Sequence, residues 1–165
     1  MYLLDTPIVM ELRKAKSGDT DPGLTRWASG IGRQHLFLSV LSLLEMETSI
    51  AAAEKRDAES GRLLRQWLDE QVPRAFENHI LPIDAAVARR RAALHMSDSR
   101  DALMAATAAV HGLTLVTPSP AAFKAGKVKT FNPFGYTPEE ADTSADWREA
   151  SRSGPQWFRN LFVRF

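Results

Sequence analysis

The sequence predicts an α/β protein built on a mainly parallel sheet, and two observations predict it. Short apolar runs of strand length alternate along the chain with segments whose apolar residues recur at helical spacing. The clearest runs, Tyr2-Leu3-Leu4 and Leu113-Thr114-Leu115-Val116-Thr117, are each followed by polar or turn-forming residues that open a helix or a loop.

The elements follow in order. Met1 to Leu4 is a buried strand, ended by Asp5. Thr6 as N-cap and Pro7 at the first helical position start a helix through Leu12, because proline's missing N–H costs nothing there. Residues 15–22 read as a loop, and residues 23–29 as a helix with Leu24 and Trp27 inward. Leu36 to Ser39 is the second strand. From Ser42 the pattern becomes helical, with apolar positions 43, 46, 50 and 53 on one face. A further amphipathic helix carries Leu63, Leu64, Trp67 and Leu68 and closes near Pro73; it packs across a dimer axis or beneath the sheet.

His79 to Pro82 is a third strand, and residues 84–95 form a helix whose Arg89-Arg90-Arg91 is a solvated face. After a break at residues 97–99, residues 100–110 form the helix richest in small residues, which implies close packing on the sheet. Gly112 ends it, and residues 113–117 are a β-branched strand. Phe123 begins a helical turn, and residues 128–131 make an edge strand before Asn132-Pro133-Phe134.

At 165 residues the chain is expected to form one domain with an appendage. Twenty-one basic against 20 acidic residues leave a net charge of +1, so affinity for a polyanion must come from local patches. The absence of cysteine excludes disulfides, thiolate nucleophiles and cysteine-based zinc sites. No leader pattern precedes the first strand, and no apolar run approaches the roughly 20 residues of a membrane span. The expected compartment is the cytoplasm.

Three acids stand at comparable places. Asp5 ends the first strand, Glu45 lies in the opening turns of the helix after the second, and Asp101 lies in the first turn of the small-residue helix. Parallel strands joined by right-handed crossovers bring these junctions to one edge of the sheet. Helix N-termini favour carboxylates in any case, which by itself accounts for Asp101 and partly for Glu45. Together, however, the three make a hard, oxygen-rich cluster suited to Mg²⁺ or Mn²⁺ and to phosphodiester hydrolysis. Glu47, two residues on, turns to another face.

Tyr2-Leu3-Leu4-Asp5-Thr6, Glu11-Leu12-Arg13-Lys14, Leu36-Phe37-Leu38-Ser39 with Leu44-Glu45, and the block from Arg100-Asp101 through Thr117 resemble PIN-domain proteins. The similar branch is that of the FitB and VapC-type toxins, with the StbB plasmid-stability proteins. The resemblance implies a PIN-like three-layer α/β/α domain over residues 1–134, with a central, mainly parallel, four- to five-stranded sheet. It further implies a metal-dependent ribonuclease, the toxin of a toxin–antitoxin pair, acting on RNA as a homodimer bound by a small DNA-binding antitoxin. On this carry-over Asp5, Glu45 and Asp101 hold the metal, and Thr6 and Thr117 line the site. Ser119 is a supporting position, and Asp98, just before Asp101, is either a partial substitute carboxylate or the cap of the helix it precedes. Independently of the resemblance, Arg13 and Lys14, one helix from Asp5, are candidates to contact RNA phosphates.

Three departures from the family pattern bear on chemistry. Pro7 replaces an asparagine, Ser119 another, and Ala122 the last carboxylate. A catalytically degenerate member that works by binding an antitoxin or a DNA-binding complex is therefore the competing reading. Residues 135–165 form a separate C-terminal extension, with five acids from Glu139 to Glu149 and arginines among aromatics from Gln156 to Phe165. That end is suited to packing on the body or on a partner.

Overall fold

A computed structural model describes residues 1–137 and residue 161 of the chain. Five strands, β1 (Tyr2–Leu4), β2 (Leu36–Ser39), β3 (Ile80–Leu81), β4 (Thr114–Val116) and β5 (Thr130–Phe131), form one sheet in the order β3-β2-β1-β4-β5. Every pairing is parallel. The chain builds outward from β1 through β2 to β3, then crosses back to place β4 on the other side of β1. The strand order therefore reverses between β1 and β4, and such a switch point opens a crevice at the carboxyl edge of an α/β sheet.

The helices are α1 (Thr6–Leu12), α2 (Pro22–Ser29), α3 (Val40–Arg56), α4 (Ala58–Gln66), α5 (Val72–Ala75), α6 (Ala85–Ala92) and α7 (Ser99–Val110). Strand alternation divides them into two layers. Leu4, Leu36, Leu38 and Val116 face α1 to α5, in a core with Ile8, Met46, Ile50 and Trp67. Leu3 and Leu115 face the other way, against Val87, Met104, Ala105 and Ala108 of α6 and α7. The result is the three-layer α/β/α arrangement expected from the sequence. The small face of α7 has the predicted consequence: Ala102, Ala105, Ala106 and Ala108 are fully buried.

Several boundaries move for physical reasons. The N-cap of α1 is Asp5, not Thr6: its carboxylate accepts the Thr6 N–H at 2.9 Å. Likewise α3 begins at Val40, because the Ser39 hydroxyl accepts the Leu41 N–H and caps it. The single helix expected around Leu63–Pro73 is instead α4, a π-helical segment at Trp67–Gln71, and α5. Pro73 has no N–H to donate to the carbonyl four residues back, so a regular α-helical ladder cannot run through this stretch unbroken.

Trp67 lies in the core layer beneath the sheet, and its indole N–H donates to the Leu161 carbonyl at 2.7 Å. Leu161 is itself fully buried. The remainder of the extension from residue 138 onward, with the aromatic and basic end, lies outside the described residues. Among the described residues no helix is long and apolar enough to cross a membrane.

Candidate active site

β1 ends at Leu4 and delivers Asp5 to the crevice, where only 3% of the residue remains exposed. Burial of a carboxylate is costly unless its oxygens are satisfied. Here Oδ1 accepts the Thr6 N–H and a guanidinium N–H from Arg100, while Oδ2 accepts the Thr117 hydroxyl at 2.7 Å. Thr117 follows β4, the strand on the far side of the switch point, and its own oxygen accepts the Ser119 N–H at 3.2 Å.

Glu45 is set one and a half turns into α3, facing the same crevice. Its Oε1 accepts the Arg100 Nε–H at 2.5 Å, and its Oε2 accepts from Arg100 Nη2 at 3.0 Å and from the Thr6 hydroxyl. Asp101, in the first turn of α7, accepts from Arg100 Nη1 at 2.9 Å. All three nitrogens of one guanidinium thus reach three carboxylates brought in by three different elements.

The electrostatics follow from this contact set. Burial alone would raise the Glu45 pKa, but hydrogen bonds from Arg100 and Thr6 outweigh it and hold the carboxyl below its ordinary range. Burial pulls Arg100 the other way, and its bonds to Glu45 and Asp5 overcome that and raise it, so the guanidinium stays charged.

The structure therefore brings Asp5, Glu45, Asp101, Thr6 and Thr117 together. Asp98 and Ser119 stand at the edge. Asp98 is exposed and caps α7 by accepting the Asp101 N–H at 2.8 Å, and Ser119 reaches the cluster through its backbone. Ala122 lies exposed in the 3-10 turn Pro120–Gly126 after β4 and offers no oxygen from its side chain. Glu47 points elsewhere, paired with Arg65 of α4.

Arg13 and Lys14 are not brought to the cluster: α1 has Asp5 at one end and carries them beyond the other. The Arg13 guanidinium lies 6.0 Å from the Trp67 ring centre, and Lys14 pairs with Glu11 at 2.8 Å. Beside the carboxylates, a groove of about 710 Å³ is lined by Thr6, Pro7, Met10, Leu44, Glu45 and Arg100 among others. Pro7, where the sequence departs from the family pattern, is part of this wall.

Arg100 is the residue that sequence reasoning passed over. Its signal was present: a cation in the first turn of a helix sits against the macrodipole, so something else must hold it there. The oxygen donors are those a hard divalent cation takes. As they stand, though, no group of three such side chains among the described residues is spaced to hold one metal ion, and a guanidinium occupies the middle.

Comparison with known proteins adds the family. The PIN domain family model matches residues 2–118, so the chain belongs to the PIN-domain family. Its relatives place it in the FitB and VapC toxin branch. It is 27% identical over 142 residues to the toxin FitB of Neisseria gonorrhoeae, covering 81% of this chain and 99% of that protein. It is 32% identical over 75 residues to the ribonuclease VapC14 of Mycobacterium tuberculosis, covering 46% of this chain and 70% of the relative. The crystal structure of FitAcB from N. gonorrhoeae superposes with a TM-score of 0.73 at 26% identity, covering 81% of this chain and 98% of that one.

Proposed function

We propose that the protein is a divalent-metal-dependent endoribonuclease, the toxin of a toxin–antitoxin or plasmid-stability pair, which hydrolyses RNA phosphodiesters at the centre formed by Asp5, Glu45 and Asp101. The observation that carries this reading is the meeting of three carboxylates, from the end of β1, from α3 and from α7, around a single cationic group at the sheet's switch point. Relatives named as a toxin and as a ribonuclease support it.

In this reading the three carboxylates would hold Mg²⁺ or Mn²⁺, which would lower the pKa of a bound water and neutralise charge developing on the phosphoryl oxygens. Thr117 fixes the rotamer of Asp5, and Thr6 fixes that of Glu45. The partners are an RNA substrate, a small DNA-binding antitoxin and a second copy of the chain.

The test is incubation of purified protein with structured RNA and Mn²⁺, beside Asp5→Asn. Cleavage by the parent alone is expected. Cleavage equal in both, or absent from both, overturns the enzymatic reading.

A second reading is favoured by Ala122, which leaves the family's last carboxylate position without an oxygen: a PIN protein that has lost catalysis and acts by binding an antitoxin or a plasmid-maintenance complex. Absence of cleavage with antitoxin binding intact selects it.

A further inference from the structure

The carboxylate cluster already contains a cation, and it belongs to the chain. Each Arg100 nitrogen is committed: Nε and Nη2 fork onto the two oxygens of Glu45, Nη2 also reaches Asp5, and Nη1 reaches Asp101. A guanidinium is planar and several ångströms wide, and carboxylates seated around its rim stand further apart than oxygens bound to one Mg²⁺ at about 2.0–2.1 Å. That accounts for a centre with the donors of a metal site and the spacing of an arginine site.

The helix does not place Arg100 there, because the N-terminal end of α7 repels a cation. The carboxylates do. They also leave the site attractive to more positive charge, since three carboxylates against one guanidinium leave two negative charges uncompensated.

We propose that Arg100 is the built-in counter-ion of the Asp5–Glu45–Asp101 centre, which holds the carboxylates together without metal and must be displaced for a divalent cation to bind. The inference rests on the metal-centre reading above. Arg100 cannot leave by losing its proton, so it leaves by turning its side chain. There is room to turn: the guanidinium side chain keeps 27% of its surface exposed and lines the groove of about 710 Å³ beside Glu45. A site that is open to metal only part of the time binds with an affinity reduced by the open fraction. Arg100 therefore sets how much divalent cation the centre needs. As a positioning residue it acts on metal occupancy and through it on RNA cleavage.

The experiment is calorimetric titration of the full chain with Mn²⁺, comparing the parent, Arg100→Gln and Asp5→Asn. Arg100→Gln is expected to bind Mn²⁺ at least about tenfold more tightly than the parent, and Asp5→Asn to lose binding. Equal or weaker binding by Arg100→Gln, with the parent still binding, overturns the counter-ion and leaves the metal centre standing. No binding by either overturns the metal-centre reading itself, and the counter-ion with it. A second measurement needs no substitution: the Arg100 Nε–H resonance of the parent, followed by NMR during Mg²⁺ addition, is expected to shift as the ion binds. A resonance unmoved through saturation overturns the proposal even if the glutamine variant fails to fold.

Discussion

Thr117 donates its hydroxyl proton to Asp5 Oδ2 at 2.7 Å, joining the ends of two adjacent strands across 112 positions of sequence. Both residues are buried, Thr117 completely. Thr117→Val keeps the shape and the β-branched backbone preference while removing the donor, so it leaves one oxygen of a buried carboxylate unsatisfied. The expected loss is about 1–3 kcal/mol of folding stability, read as a lower urea midpoint with an unchanged slope. If the chain cleaves RNA as proposed, cleavage should fall as well, because the carboxylate is then less firmly held. A variant within about 0.5 kcal/mol of the parent, the range of a neutral surface change, would show that this bond does not anchor Asp5.

Gly61 makes a prediction in which two effects of opposite sign compete. It lies in α4 where that helix crosses α3, and a Cβ built there meets the Glu54 Cα at 2.4 Å and its backbone nitrogen at 2.7 Å. Alanine in a helix interior ordinarily gains up to about 1 kcal/mol over glycine. Here the neighbour is backbone and cannot swing aside, so the helices must separate, at a cost of roughly 1–3 kcal/mol for overpacking. Arg65, which ties α4 to Glu47 and Glu54 of α3, would be pulled from its partners in the same movement. Gly61→Ala is expected to lower the thermal midpoint; a raised midpoint would mean that propensity outweighs the clash.

What the sequence made legible is what is local. An apolar run of strand length closed by a polar residue locates β1, β2 and β4, and the same closure places Asp5, while Glu45 and Asp101 are found by their distance into the next helix. The small-residue face of α7 announced its burial in the same way. Caps were harder, because Asp5 and Thr6 are both good capping residues and only the backbone geometry decides between them. Asp98 stands three residues before Asp101, which is the spacing of an N-cap and the N–H it binds, and that is the role it takes. The π-helical segment at Trp67–Gln71 was not legible, since its apolar residues fit an α-helical face equally well. Arg100 is the least legible part of the site. It sits beside Asp101 in plain view, but its fork is defined by Glu45 and Asp5, 55 and 95 positions away, and no local pattern reports such a partner.

Glu45 ties this network to pH. Burial would raise its pKa, yet the Arg100 and Thr6 hydrogen bonds hold it below the ordinary 4.5. A carboxyl whose folded-state value lies below its unfolded one adds stability that is fully present above about 4.5 and is lost as pH falls through the folded value. Arg100 stays protonated throughout, so the loss comes from the carboxyl side of the pair. In metal-free protein the stability advantage of the parent over Glu45→Gln should therefore be constant from about pH 7 to 5 and shrink below about 4.5. Using the difference between the two proteins cancels the titration of carboxylates remote from the Arg100 cluster. Urea midpoints of both, taken across that range, decide the matter: an advantage that grows on acidification would mean Glu45 is held by its neutral form, and that the Arg100 fork does not stabilise the charged carboxylate.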